Sequence, residues 1–256
     1  MPRTVFFLFI FTILSGGNTY AQFGLSHEIG VLAGPASFYT DYGERWNLNT
    51  NVNNSGLGVG LVHYLNFAFN AECSCYTRNR FFNKHFRIRN EIDYFRTNLE
   101  HRGPVASKNT IGGQLLRAMH GFTETIEIGT HLEYHFLNIR DFTNFGYLFS
   151  PYVSLGVHFV NFSPFAYSDL GPLEDPSNVF PTFVDGIDLE SKSTFAVVGS
   201  MGARYKIHRS GDIMIESRWH YYNSDWIDGL NIDAPQNKAN DWIFWINVGY
   251  IYYLNF

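Results

Sequence analysis

From Trp242 to Phe256, hydrophobic side chains fall on every second position. Trp242, Phe244, Ile246, Val248, Tyr250, Tyr252, Leu254 and Phe256 share one parity. Asn247, Gly249 and Asn255 fall on the other, mixed with Ile243, Trp245, Ile251 and Tyr253. A period of two belongs to a β-strand with two unlike faces. The same alternation predicts seven earlier strands, near 25–33, 57–66, 86–99, 126–136, 149–159, 195–207 and 213–221. The fourth is the clearest: Ile126, Ile128, Leu132, Tyr134 and Phe136 face one way, and Glu127, Gly129, His131, Glu133 and His135 the other.

A terminal strand this apolar, with an aromatic last residue, suits a sheet that closes in lipid, where an open edge would leave amides unpaired. The ending resembles the assembly signal of bacterial outer-membrane proteins, carried here by Tyr252, Leu254 and Phe256. A core strand of a soluble β-sandwich is the competing reading. The connections favour the barrel. Long polar ones are expected at about 36–56, 100–119, 161–193 and 223–240, with tighter turns such as His208-Arg209-Ser210-Gly211 after the fourth and sixth strands and a longer connection, around 68–84, after the second. Long outer loops alternating with short periplasmic turns is the outer-membrane pattern. The predicted fold is therefore all-β, a transmembrane antiparallel barrel of about eight strands with both termini periplasmic.

Composition fits. Aromatic residues make up 18% of the chain and charged residues only 16%, against about 25% charged in a typical soluble domain. The mean hydropathy is still slightly negative, at -0.13, because each strand hides its apolar half by alternation. The first residues, Met1 to Ala21, read as a signal peptide: Arg3, then Val5 to Leu14 apolar, then Thr19-Tyr20-Ala21 before Gln22. The barrel then occupies 22–256, in the cell outer membrane. A net charge of -5 without a basic patch argues against nucleic acid. Cys73 and Cys75 form a lone Cys-x-Cys, too few for a zinc framework.

The polar parity carries Glu28, Glu91, Asp93, Glu127, Glu133 and Glu216 beside Arg87, Arg89, Arg204, Lys206 and Arg218, with His131, His135, His158 and His220. A barrel of about eight strands is only wide enough to be filled by its own side chains, and buried charges must be paired. The near-equal signs predict a salt-bridged plug rather than a pore. No catalytic, cofactor-binding or metal-ligating set is predicted. The enzymatic alternative is a barrel acting on lipid, with His131, Glu133, His135 and a nucleophile at Ser154 or Ser200; the others are a loop-mediated adhesin and a small pore. Asp169, Glu174, Asp175, Asp185, Asp188 and Glu190 lack an EF-hand spacing and read as a solvated acidic loop.

Three segments resemble the PorG-like outer-membrane proteins of Bacteroidetes, associated with type IX secretion. The first is His27-Glu28-Ile29-Gly30 with Gly34 and Tyr39. The second is Ser150-Pro151-Tyr152-Val153 through Gly156 to Asn161-Phe162-Ser163-Pro164. The third runs from Arg218 to Ser224-Asp225-Trp226-Ile227-Asp228, where Gly229 stands in place of the family's second acid. The resemblance implies a small, non-enzymatic barrel in the lipid bilayer that anchors periplasmic secretion-system proteins or gliding machinery.

Overall fold

In the computed structural model, residues 25–44, 47–51, 53–67, 80–232 and 239–254 are described. The signal-peptide segment, Cys73, Cys75 and Phe256 lie outside them. Eight strands run β1 (Ser26–Tyr39), β2 (Ser55–Asn66), β3 (Phe86–Glu100), β4 (Met119–His135), β5 (Phe149–Ser168), β6 (Lys192–His208), β7 (Gly211–Tyr222) and β8 (Trp242–Leu254). Each pairs antiparallel with its neighbour, and β8 closes on β1 from Tyr39↔Trp242 to His27↔Leu254. The sheet is a closed eight-stranded barrel with no free edge.

The parity expected from the sequence sets the walls. Ile128, Leu155, Val157, Ile215 and Val248 are more than half exposed on the outside, whereas Glu127, Ser154, Glu216 and Asn247 are buried within. An exterior this apolar beside a charged interior is the build of a transmembrane barrel of the outer-membrane type, and water is not its solvent. Two pairs of outward-facing polar groups satisfy one another. Thr130 Oγ1 donates to Asn90 Oδ1 at 2.8 Å, and His27 Nδ1 lies 3.0 Å from His63 Nε2.

The strands are longer than the alternation suggested. β1 continues to Tyr39, β4 begins at Met119 and β5 extends to Ser168. Toward the long loops the polarity of the two faces changes along β3 and part of β5. Along β3 the inward residues change from Arg87, Arg89, Glu91 and Asp93 to Phe95 and Leu99, while the outward ones change from Ile88 and Ile92 to Arg96, Asn98 and Glu100. β5 does the same, with Val160 and Phe162 inside and Asn161 and Ser163 outside. A strand that stands clear of hydrocarbon sorts its residues as a soluble protein does, so the pattern expected in lipid fades there although the strand does not. The interior is thus polar within the bilayer and an apolar core toward the long loops, a division that the uniformly polar filling read from the sequence did not contain.

The described parts of the four long connections, 40–54, 101–118, 169–191 and 223–241, lie at one rim and fold over it. Asp228 Oδ2 accepts from the Asp41 amide at 2.8 Å, and its Oδ1 from the Leu230 amide at 2.9 Å. Thr123 Oγ1 donates to the Ile227 carbonyl at 2.6 Å, while the Asp188 amide donates to the Gly229 carbonyl at 2.9 Å. Tyr42 stacks on His101, which packs against Phe183. At the opposite rim, which carries both described chain ends, the helix Ile139–Thr143 buries Ile139 and Phe142.

Candidate functional site

The barrel interior is where the chain concentrates its chemistry. All twelve charge-network positions singled out from the sequence, Glu28, Arg87, Arg89, Glu91, Asp93, Glu127, His131, Glu133, Arg204, Lys206, Glu216 and Arg218, are buried there. Short side chains opposite bulky ones make this possible. A Cβ on Gly129 would lie 1.9 Å from His158 Cδ2, and one on Gly58 2.6 Å from Phe95 and 2.7 Å from Trp245 Nε1. Glycine is what lets those rings cross the lumen.

Three arginines tie the walls together. Arg204 contacts Asp212 and, at 2.6 Å, Glu28 Oε2, which also meets Arg87 at 3.0 Å. Arg89 reaches Glu133 at 2.9 Å, Glu216 at 2.7 Å and Glu91 at 3.0 Å. Arg218 reaches Glu216 at 2.6 Å, Glu91 at 2.9 Å and Asp93 at 3.0 Å. Glu216 also accepts from Tyr152 Oη at 2.7 Å and Ser200 Oγ at 2.8 Å. Lys206 is the exception among the cations. Its ammonium lies 3.8 Å from the Tyr253 ring centroid, with Phe142 and Phe145 each at 5.5 Å, so aromatic faces rather than a carboxylate receive it.

Asp212 belongs to this network and was not among the sequence candidates. It shares the parity of Glu216 but lies one residue before the strand start that the alternation predicts at Ile213. Asn66, which donates to Glu28 Oε1 at 2.7 Å, was missed because an asparagine at a strand end looks like a turn residue.

Toward the loop rim lies a histidine cluster. Glu91 Oε1 is 2.7 Å from His131 Nε2 and 2.9 Å from His158 Nε2. Glu127 Oε2 is 2.8 Å from both His158 Nδ1 and His220 Nδ1, and its Oε1 accepts from Tyr222 Oη at 2.5 Å. His135 lies apart, 3.2 Å from Glu133 and 3.0 Å from Ser150.

Ser154 Oγ is 3.1 Å from His131 Nδ1, whose other nitrogen faces Glu91, an arrangement of hydroxyl, imidazole and carboxylate. The hydroxyl is enclosed, however: Ser154 is 8% exposed, with Ser200 Oγ at 2.6 Å and Arg89 at 3.4 Å. A reacting carbonyl would have to displace the plug to reach it.

The remaining motif positions divide between walls and lid. Glu28, Tyr152 and Arg218 are interior, His27 faces outward, and Asp228 holds the lid. Gly30 sits on the interior parity of β1 and Pro151 on the outer parity of β5. Trp226 lies in the same lid loop as Asp225, with the Lys192 ammonium 5.5 Å over its ring. Tyr252 faces outward, 44% exposed, and Leu254 ends β8. In the acidic loop, Asp188 pairs with Lys192, and Asp175 accepts from Ser177 in its own turn.

Two consequences of the lid are measurable. An Asp228→Ala variant leaves the Asp41 and Leu230 amides without their acceptor, a loss of about 1–3 kcal/mol in lid stability. Protease is expected to cut the loops faster while the heat-dependent gel shift of the barrel stays unchanged. His101 supplies a pH dependence. Burial, aided by the neighbouring His120, pushes its pKa down to about 3 from about 6.5 in the unfolded chain. The folded lid therefore binds fewer protons than the open one, and its stability is complete above about pH 6.5 and falls as the pH drops toward 3. At pH 5 the loss is about 2 kcal/mol. Loop amides are expected to exchange faster at pH 5 than the intrinsic rate change accounts for, and His101→Phe is expected to abolish that excess.

No family model matches the chain, and no curated protein matches it at a significant level. Among solved structures, Neisserial surface protein A is 12% identical, covering 90% of this chain and 98% of its own, with a TM-score of 0.46. The outer membrane protein OprG from Pseudomonas aeruginosa is 13% identical, covering 90% and 98%, with a TM-score of 0.43. Ail, the attachment invasion locus protein of Yersinia pestis, is 12% identical, covering 90% and 97%, also with a TM-score of 0.43. Likeness at this level says nothing about what the chain does.

Proposed function

We propose that this chain is a non-enzymatic outer-membrane barrel, an accessory or anchoring component of a type IX secretion or gliding machinery that holds periplasmic secretion-system proteins. The observation that supports it most is the filled lumen. Arg89, Arg204 and Arg218 bridge opposite walls, Trp245, Tyr152 and Tyr253 occupy the remaining width, and the loops fold over one rim. Such a barrel has no conducting path, and its hydroxyl–imidazole–carboxylate contacts, Ser154–His131–Glu91 and Ser150–His135–Glu133, are enclosed. What it offers other molecules is its rims. The likeness of the His27–Gly30, Ser150–Pro164 and Arg218–Asp228 segments to PorG-like proteins supplies the partner class.

Mild cross-linking in intact outer membranes, followed by recovery of the barrel, tests this reading. Secretion-ring or gliding components are expected among the captured proteins; their absence from repeated captures overturns it. Planar bilayers are expected to show no stepwise currents, and unchanged lipid A mass after deletion is expected if the barrel performs no lipid chemistry.

A further inference from the structure

Seven interior carboxylates, the six named from the sequence and Asp212, face five interior cations among the described residues. Six of the seven touch an arginine. Glu127 does not; its partners are the imidazoles of His158 and His220 and the phenol of Tyr222. Glu127 therefore depends on an imidazolium or a bound cation for its counter-charge, and the interior carboxylates outnumber the arginine and lysine cations by two.

We propose that Glu127, His158 and His220 form a binding site for one divalent transition-metal ion of the zinc class. The donor set is two imidazole nitrogens and one carboxylate oxygen, on β4, β5 and β7, which leaves a fourth position for water. The three donor atoms already lie within 4.8 Å of one another, with the Glu127 oxygen 2.8 Å from each Nδ1. Bonds of about 2.0–2.1 Å to a tetrahedral ion place ligand atoms roughly 3.3 Å apart, so each carboxylate–imidazole distance of 2.8 Å need only lengthen by about half an ångström.

The surroundings are those of a metal site. His158 turns its other nitrogen to Glu91 Oε1 at 2.9 Å, the carboxylate–imidazole arrangement that orients a ligating histidine. Tyr222 Oη fixes the second Glu127 oxygen at 2.5 Å. His220 Nε2, which carries the proton when Nδ1 binds an ion, is buried and meets no hydrogen-bond partner among the described residues, so His220 lacks the orienting acceptor that His158 has. A neighbouring group, Glu91, His131 and His158, also clusters, but Arg218 lies 2.9 Å from its carboxylate oxygen and would repel a second ion. The charge deficit and the donor geometry thus select the same three residues. A dication there completes the interior charge balance and joins three strands.

The full barrel refolded into lipid with zinc, then dialysed against a weak chelator, is expected to retain one zinc per chain by elemental analysis. Cobalt in its place is expected to give the intense visible bands of a four-coordinate ion. His158→Gln and His220→Gln are expected to lose stoichiometric metal, and Tyr222→Phe to weaken retention about 10- to 100-fold. His63→Gln, which alters the outward histidine pair, is expected to change nothing. The heat-dependent gel shift shows which variants fold; if both histidine variants fail, the wild-type metal ratio and cobalt spectrum decide. A ratio well below one, or one retained in folded His220→Gln, overturns the proposal in favour of a network neutralised by protons alone.

Discussion

Replacing Arg89 by alanine is expected to lower the unfolding free energy of the barrel by about 3–5 kcal/mol, read from urea titrations in lipid vesicles. Arg89 is fully buried and meets Glu133, Glu216 and Glu91. Its removal leaves carboxylates enclosed without a counter-charge, and that uncompensated charge, more than the lost contacts, sets the size of the effect. The sign of the coupling follows. Glu216→Gln removes one of the stranded charges, so the double variant is expected to lose less than the sum of the single losses. Strict additivity would mean that Arg89 and Glu216 act independently, against the 2.7 Å contact between them.

Leu155→Arg is the second large effect, about 2–4 kcal/mol if the position lies near the bilayer midplane. Leu155 is 65% exposed on the outer wall, and β5 presents Val153 and Val157 on either side along the same face. Ile128→Arg is expected to behave alike. An arginine at Asn161, on the same outward parity but where that face has turned polar, is expected to cost far less. Equal losses at Leu155 and Asn161 would contradict the polarity reversal along β5.

How much of this the sequence disclosed depends on the range of the interaction. Which residues of β4 or β6 face lipid is a local matter of parity, and the alternation around Ile128 or Met201 reads it directly. The extensions of β1, β4 and β5 were hidden because, beyond the hydrocarbon, Asn161 and Ser163 on the outer face resemble a loop. The partners of the lumen charges were hidden for another reason. Arg89 and Glu216 lie 127 residues apart and on opposite walls. Chain order gives each strand its neighbours, but the stagger between strands decides which heights meet across the interior. The lid was illegible too, since Asp228 gains its role only when the 40–54 and 223–241 connections meet.

The wall-to-wall arginine contacts bear on assembly. Arg204 on β6 meets Glu28 on β1, and Arg218 on β7 meets Glu91 on β3. Neither pair exists in a nascent hairpin, nor in a sheet still curled into a trough. The pairs between neighbouring strands, such as Arg204–Asp212 and Arg89–Glu133, need no closed seam, whereas the cross-wall pairs form as the β1–β8 seam is zipped and the last water leaves the lumen. A chain stalled one strand short is left with a groove in which Glu28 and Glu91 lack their arginines from across the lumen.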